Sequence, residues 1–415
     1  MAANVLNYLF NFAVSRRLGL ENFATLSALG SGLIICSLPA AVVNLMVVKY
    51  AAEFHAVGDV ARLSRLSRIV LRGTTTSAMA CFAIGFVARG QIANFLHIPN
   101  DMAIVFAVGV LALGLITPSV RGVLQGCQDF KRFSISAVLE VFLKLVLATA
   151  LVYADFGVRG AMLGWSVATA SALVYTIWAV RRGLSRNTEA KLSIDGARLF
   201  KTLSGVAAAT TALTLLSFLD VILVKHFLDA RQAGLYAAVN LTGKVVLFIV
   251  SFLPMTLLPK AVALAKRSES PVGLLLQAAV GTLLLSGAAL ALFAIMPGTI
   301  IGLLAGHAFV AAAPYVFRYD VAMTLLAGIT LVVNYKIALH RFDFVFPLLA
   351  ILVGEVAAVT IWHRGILDIV NILLVGNGVA LLTVLYRVNL YGDAASRSAE
   401  MAKRPDSEVA VVSGP

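Results

Sequence analysis

Apolar residues recur along most of the chain in continuous runs, and they do not alternate with polar residues as they would in a membrane β-barrel. Many runs reach roughly 18 residues or more, which is long enough to cross a hydrocarbon core of about 30 Å as a helix. We therefore predict an all-α polytopic membrane protein of about 12 transmembrane helices. The predicted spans are 1–14, 24–48, 68–88, 102–123, 134–152, 157–180, 203–224, 234–258, 272–296, 315–339, 345–362 and 366–387.

The first predicted span is shorter than the roughly 17 to 25 residues that a crossing helix needs. It also carries three amide side chains, those of Asn4, Asn7 and Asn11. Two interpretations fit this pattern. The segment is either a half-span packed inside the bundle or a span completed by residues upstream of this sequence, and the second is our expectation.

The segment 217–260 repeats a plan found near the start of the chain. Lys225 follows Asp220 by the same spacing at which Arg16 follows Asn11, and a turn comes next in both places. In the first copy the predicted turn is Leu18-Gly19-Leu20-Glu21. A repeat at a separation of about 210 residues indicates a duplicated half.

The repeat predicts two six-helix lobes, an N-terminal lobe at 1–180 and a C-terminal lobe at 202–388. A basic linker at 181–201 would join them, and we expect a disordered tail at 389–415. Six is an even number, so both lobes would have the same orientation and would be related by a pseudo-twofold axis along the membrane normal. The apolar loops 91–97 and 299–305 correspond in the two halves, and we expect them to lie at the interface or to fold back into the bundle.

Composition agrees with a membrane protein, since 60% of the residues are hydrophobic and 13% are charged. The net charge of +13 could indicate a nucleic-acid-binding protein. However, Lys and Arg are concentrated roughly threefold in the even-numbered loops and the tail, as the positive-inside rule predicts. We therefore expect cytoplasmic termini and no nucleic-acid partner.

No pattern typical of an enzyme or a cofactor site is present. The sequence has no Gly-rich phosphate loop, no HExxH motif and no serine nucleophile elbow. The three cysteines are scattered in or beside apolar runs and have no metal-ligand spacing. We predict a protein that is not an enzyme and that holds no metal and no cofactor.

Ionisable residues inside predicted spans mark the candidate site, because a charge in the bilayer is costly and usually faces a cavity or a partner. They are Arg121, Glu140, Lys144, Asp220, Lys244, Arg318, Asp320, Lys336 and Glu355. Cations outnumber anions among those expected to face a cavity, which favours an anionic substrate such as a pyrophosphate.

Five of these residues need separate comment. Glu140 and Lys144 are four residues apart and should meet on one helix face, either in the lumen or as a neutralised structural pair. We expect Asp320, like Arg318, to reach water at the outer end of its span, and Lys336 to snorkel at the inner end.

Proline interrupts the second and eighth predicted spans at matching places, at Pro39 and Pro254. Each proline removes a helical hydrogen bond. The bend is either a hinge that lets the halves rock or a static kink.

Three segments together resemble patterns of the oligosaccharide and polysaccharide flippases, which belong to the multidrug/oligosaccharidyl-lipid/polysaccharide exporter (MOP) superfamily. The segments are NFAVSRRLGLENF at 11–23, GVLQG at 122–126 followed by Phe130, and GLYAA at 234–238 after the pair Asp220 and Lys225. The similarity extends over nearly the whole chain to about residue 388.

The resemblance implies a flippase of the bacterial inner membrane that moves undecaprenyl-pyrophosphate-linked oligosaccharide for polysaccharide or lipopolysaccharide biosynthesis. The family works by alternating access between two lobes arranged as an inverted V, and coupling to an H⁺ or Na⁺ gradient is expected. Membrane lipids and polysaccharide polymerase machinery are the further partners implied. The expected substrate-binding residues are Lys244, Arg16, Asn11, Arg121, Lys144 and Tyr236, the expected ion-coupling residues are Asp220 and Glu140, and the expected hinges are Pro39 and Pro254.

Two other functions remain open at this point. A multidrug or cation antiporter of the same superfamily would need a lumen of net acidic charge. A membrane polysaccharide polymerase or ligase would need a large outer loop, and the predicted outer loops are short.

Overall fold

The computed structural model describes residues 2–99, 101–182, 196–250, 272–339 and 341–386, and every regular element in these ranges is a helix. Nine helical stretches in the described part are long and apolar enough to cross a membrane, so the chain is an all-helical, multi-pass membrane protein as predicted. The α-helices are α1 Ala2–Cys36, α2 Leu38–Ala56, α3 Val60–Val87, α4 Arg89–Leu96, α5 Met102–Gly126, α6 Phe130–Leu143, α7 Thr149–Leu151, α8 Gly157–Arg182, α9 Gly196–Phe227, α10 Ala230–Val250, α11 Val272–Ile295, α12 Pro297–Leu304, α13 Ala313–Ala338, α14 Val345–Ile361 and α15 Ile366–Tyr386.

Helix α1 contains the first predicted turn as a break at a single residue. Gly19 has φ 72° and ψ 179°, a conformation that glycine adopts without a Cβ clash. The break divides α1 into a first segment, residues 2–18, and a second segment, residues 20–36. The first segment therefore extends four residues beyond the predicted end at residue 14.

The predicted span 24–48 consists of two helices, because α1 ends at Cys36 and α2 begins at Leu38. Pro39 lies in the first turn of α2, where its missing N–H leaves no helical hydrogen bond unmade. The predicted interruption of this span is therefore present in the structure. The role of Pro39 as a hinge between the halves stays a prediction. Pro254 lies outside the described residues.

The fifth predicted span departs from α-helical geometry in a way that the sequence did not indicate. Helix α6 continues into a π-helix at Lys144–Ala148, then α7, then a second π-helix at Val152–Phe156 before α8 begins. The backbone of the first π-helix lies directly against Gly164 of α8, where a Cβ would overlap the main chain of Ala148. Glycine allows the two backbones to approach this closely because it has no side chain.

For description, we call the helices α1–α8 the first half of the chain and the helices α9–α15 the second half. In the first half α5 packs on α2, α3 and α8, and in the second half α13 packs on α10, α11 and α15. Helix α1 contacts α9 and α10 and so joins the two halves. The corresponding apolar loops of the two halves form the short helices α4 and α12. Helix α9 begins inside the predicted linker 181–201.

Candidate functional site

A cavity of about 570 Å³ lies between the two halves and is enclosed by α1, the first π-helix, α8, α9 and α10. Its described lining contains two lysines, four asparagines and no Asp or Glu. Its polar and aromatic lining residues include Asn4, Asn7, Asn11, Lys144, Trp165, Phe218, Asn240 and Lys244. The cavity is therefore cationic and rich in amides.

The first segment of α1 supplies three of the four amides. Asn4, Asn7 and Asn11 follow each other at intervals of three and four residues, which places them on one face of the helix. All three line the cavity, and the Asn11 Nδ2 donates to the Asn7 carbonyl at 2.9 Å. This arrangement explains why a predicted span carries so many polar side chains.

Lys144 begins the first π-helix and enters the cavity from the first half. Its Nζ donates to Asn7 Oδ1 at 3.0 Å and lies 3.7 Å from the ring centroid of Trp165 and 4.5 Å from that of Phe10. Three elements therefore fix the position of this ammonium, and cation–π attraction to the indole adds to the amide hydrogen bond.

Lys244 enters the cavity from α10 in the second half. Its Nζ lies 5.2 Å from the ring centroid of Phe218, and it has no ion pair and no hydrogen-bond acceptor among the described residues. Its ammonium donors are consequently available to an anionic group in the cavity, whereas those of Lys144 are partly engaged.

A buried network lies behind Lys244, in the second half. Asp220 Oδ2 accepts hydrogen bonds from the hydroxyls of Tyr236 at 2.6 Å and Tyr319 at 3.1 Å. Asn240 Nδ2 donates to the Tyr319 hydroxyl at 2.6 Å, and Asn240 also lines the cavity. Asp220 and Tyr236 therefore do not line the cavity themselves, and Asp220 is connected to the cavity wall through Tyr319 and Asn240.

Arg121 and Glu140 form an ion pair of 2.7 Å inside the first half and do not line the cavity. Arg121 also donates to the Ser136 hydroxyl and carbonyl, each at 2.8 Å, and Glu140 accepts from Thr169 at 3.1 Å. No direct ion pair joins Glu140 to Lys144 in the described part of the chain, because Glu140 pairs with Arg121 and Lys144 donates to Asn7.

Arg16 is exposed and lies away from the main cavity. Its Nη2 donates to the Leu303 carbonyl at 3.0 Å, and its guanidinium stacks 3.8 Å from the Phe12 ring centroid. It lines a separate cavity of about 310 Å³ together with residues of α12 and the segment that follows it. The structure thus does not bring Arg16 together with Lys244.

Two expectations for the tenth predicted span were wrong. Asp320 does not reach water: it is fully buried, and Thr242 donates to its Oδ1 at 3.0 Å. Lys336 does not snorkel, because it is 1% exposed and lies 3.5 Å from the Asp343 carboxylate. Arg318 is exposed, as expected.

Of the residues predicted for binding and coupling, Asn11, Lys144 and Lys244 line one cavity. Sequence reasoning missed Trp165 and Asn240 as lining residues. For Asn240 a signal was available, since it is an amide within an apolar run, four residues before Lys244. For Trp165 there was none, because an aromatic residue in a membrane helix usually packs against lipid or other helices.

No protein-family model matches the sequence, and no curated protein matches it. Solved structures share its fold. An inward-facing conformation of a multidrug resistance MATE family transporter of the MOP superfamily matches at a TM-score of 0.76 and 13% identity, covering 97% of this chain and 96% of that chain. The lipid II flippase MurJ in an inward closed conformation matches at 0.70 and 10% identity, covering 93% and 85%.

A third solved structure is a MOP superfamily transporter from Pyrococcus furiosus, in which the reverse polarity of the binding pocket suggests a different function. It matches at a TM-score of 0.61 and 13% identity, covering 94% of each chain. An outward-facing conformation of a multidrug resistance MATE family transporter matches at a TM-score of 0.63. The resemblance inferred from the sequence is thereby confirmed at the level of the fold.

Proposed function

Starting from the fold that this chain shares with MOP-superfamily transporters, we propose that it is a flippase for lipid-linked oligosaccharides of the undecaprenyl-pyrophosphate class in the bacterial inner membrane. One observation carries the proposal: the cavity between the halves has two lysines and four asparagines, and its described lining has no carboxylate. Such a surface attracts a diphosphate and rejects a cation. The fold likeness to a protein named as a lipid II flippase supports the same class of substrate.

The two lysines come from different halves of the protein, and each has its own role in the proposal. Lys244, whose ammonium forms no hydrogen bond and no ion pair among the described residues, binds a phosphate oxygen directly. Lys144, positioned by Asn7 and Trp165, binds the second phosphate group across the cavity. The amides of α1 remain for sugar hydroxyls, which both donate and accept hydrogen bonds.

The proposed transport cycle is alternating access between two six-helix lobes related by a pseudo-twofold axis along the membrane normal. Both termini and the linker 181–201 lie in the cytoplasm, in line with the distribution of Lys and Arg in the loops. In that orientation the cavity extends toward the cytoplasmic side, since its lining includes Asn4 at the start of α1 and Ile34 near its end. The higher TM-score against the inward-facing neighbour than against the outward-facing one agrees with this direction.

Asp220 is the proposed coupling carboxylate for an H⁺ or Na⁺ gradient. It is 4% exposed, its Oδ1 has no hydrogen-bond partner among the described residues, and Tyr319 and Asn240 connect its Oδ2 to the cavity wall. Glu140 is left out of this role because Arg121 already neutralises it.

A multidrug transporter is the second candidate, and two observations favour it. The neighbour with a TM-score of 0.76 is a multidrug resistance transporter, and the cavity also presents aromatic rings, including those of Tyr8, Trp165 and Phe248. The two cavity lysines would restrict such a protein to neutral or anionic drugs. A polymerase or ligase is not supported, since the structures that share the fold are transporters and flippases.

The test is made in a bacterial strain deleted for this protein, by measuring on which membrane leaflet the lipid-linked oligosaccharide resides. The wild-type chain should restore outward flipping. Lys244→Gln at equal protein level should lower the initial flipping rate by about tenfold or more, since a hydrogen bond to a charged group contributes about 1.5–3 kcal/mol. Arg318→Gln is the matched control, because this arginine is exposed and outside the cavity.

Each other outcome identifies a different function. Normal flipping in the deleted strain together with drug hypersensitivity would replace the flippase proposal by the multidrug transporter. Oligosaccharide that is fully flipped but not polymerised would indicate an enzyme of assembly. If Lys244→Gln and Arg318→Gln flip lipid equally well, the cavity assignment is wrong even though the class of function stands.

A further inference from the structure

We infer that the outer end of the cavity is closed by two reciprocal latches, in which the short helix of each half holds the first long helix of the other half. Latch 1 is Arg16 with Leu303, and latch 2 is His226 with Phe95. The inference rests on the proposed function only for the side of the membrane on which the latches lie. The contacts themselves are features of the structure.

Latch 1 joins α1 of the first half to α12 of the second half. The Arg16 Nη2 donates to the Leu303 carbonyl at 3.0 Å. Arg16 also lies beside Gly306, whose φ of 109° turns the chain away from α12. Arg16 follows the cavity residue Asn11 by five residues, which is about 7.5 Å along the helix, so latch 1 lies beyond the cavity.

Latch 2 joins α4 of the first half to the end of α9 in the second half. The His226 Nδ1 lies 2.7 Å from the Phe95 carbonyl, and since a carbonyl only accepts, Nδ1 carries the proton. The imidazole also stacks on the Phe95 ring at a centroid distance of 4.1 Å and an angle of 11°. The stacking and the hydrogen bond together fix the two elements against each other.

The two latches occupy corresponding places in the repeat. Helices α4 and α12 have eight residues each, and the acceptor carbonyl belongs to the penultimate residue in both, Phe95 and Leu303. The carbonyls of the last turn of a helix have no partner within the helix, so they are free to accept from elsewhere. The donors lie near the end of the first segment of α1 and near the end of α9, since Arg16 corresponds to Lys225 in the repeat and His226 is the next residue.

A close backbone contact lies at the same end of the bundle. A Cβ on Gly234, at the start of α10, would be 2.6 Å from the Leu20 carbonyl oxygen in the turn of α1. The three nearest atoms are the carbonyl carbon, the carbonyl oxygen and the Cβ of Leu20, which cannot move away without a shift of the backbone. Any side chain larger than hydrogen at this position must therefore push the two halves apart where the latches hold them together.

Opening to the outside consequently requires both latches to break and the contact between Gly234 and Leu20 to separate. Each latch is a single hydrogen bond between a side chain and a carbonyl, and such bonds are individually weak enough to exchange with water. The reciprocal arrangement means that neither half can move outward while one latch persists. The latches therefore set the population of the outward-open state.

The experiment measures outside access to the cavity directly and requires no substrate. Ser27→Cys, at a lining position, is the reporter in a chain whose Cys36, Cys81 and Cys127 are replaced by serine. A membrane-impermeant maleimide is added to right-side-out vesicles, and the labelling rate is followed by mass shift.

Removal of both latches, Arg16→Ala with His226→Leu, should raise the outside labelling rate about fivefold or more through a shift of the two-state population. The conservative pair Arg16→Lys with His226→Gln keeps both donors and should restore slow labelling. Gly234→Ala should raise labelling independently, and Gly287→Ala is its control, because a Cβ at that glycine meets nothing within 4 Å.

Correct folding of each variant is checked by a monodisperse peak in detergent. If either the double variant or Gly234→Ala fails to fold, the other variant still tests the inference. Outside labelling that stays at the control rate in a folded variant without both latches overturns the inference. Fast labelling of the variants in a chain that flips no lipid would leave the latches standing and would overturn the proposed function instead.

Discussion

The ion pair between Arg121 and Glu140 allows a structural role to be separated from a coupling role by measurement. The two groups are 2.7 Å apart, and their side chains are only 15% and 20% exposed. Arg121 also holds α6 against α5 through two hydrogen bonds to Ser136. Substitution of Glu140 by alanine removes the counter-charge and leaves the guanidinium in place.

The magnitude follows from the burial of the pair. Loss of one partner from a fully buried ion pair costs about 3–5 kcal/mol. Because the side chains retain 15% and 20% of their exposure, water can approach the remaining charge. We therefore expect Glu140→Ala to lower the free energy of unfolding by about 2–4 kcal/mol. Arg121→Ala should cost a similar amount, since it leaves a carboxylate without its partner.

The double variant Arg121→Ala/Glu140→Ala carries no uncompensated charge and should be less destabilised than the sum of the single variants, by about 1–3 kcal/mol. Reversible unfolding in mixed micelles with increasing denaturing detergent provides these free energies. Single effects that add without coupling would refute the reasoning, because the two residues would then act independently.

The same variants test the predicted coupling role of Glu140. If the carboxylate only neutralises Arg121, the double variant should flip lipid at nearly the wild-type rate per folded molecule. Asp220→Asn should instead lose the dependence of flipping on the ion gradient. A folded double variant that loses gradient dependence would return Glu140 to the coupling site.

Two further predictions concern packing and the cation–π contact in the cavity. Gly376→Ala places a methyl on Glu355 Oε1 and should lower the free energy of unfolding by about 1–3 kcal/mol, measured by the same unfolding assay. Gly378→Ala, whose nearest neighbour would be 4.0 Å away, should change it little, and an equal effect of both would show that the overlap is not the cause. Trp165→Leu removes a cation–π interaction with Lys144 worth about 0.5–2 kcal/mol and should raise the half-saturating substrate concentration more than it lowers the maximal flipping rate. An effect on the maximal rate alone would contradict the assigned binding role.

Most of the fold could be predicted because the relevant signals are local. An apolar run of sufficient length specifies a membrane helix, glycine at position 19 specifies where α1 breaks, and proline at position 39 specifies where α2 begins. The π-helices at 144–148 and 152–156 could not be predicted, because their sequence has no separate period. The first of them lies directly against Gly164 of α8, a helix that follows later in the chain.

The site was predicted only in part, for a reason of geometry. Helix α5 and the first π-helix are apolar for most of their length, so their sequence does not determine which face meets the cavity. From the sequence alone, Lys144 and Arg121 are equally good candidates for the cavity wall. The structure distinguishes them, because Lys144 lines the cavity and Arg121 forms an ion pair with Glu140. Asp320 looked close to water by its position along the span, but three neighbouring helices surround α13 and bury it.

The break at Gly19 has a mechanical consequence for the first segment of α1. This segment is a rod attached at one end, and Asn4 lies 15 residues from the pivot, or about 22 Å at 1.5 Å per residue. A rotation of about 10° at Gly19 would move Asn4 by about 4 Å and Arg16, only three residues away, by less than about 1 Å. A small rotation at Gly19 can therefore widen the mouth of the cavity at Asn4. The same rotation leaves latch 1 almost unchanged, because Arg16 lies close to the pivot.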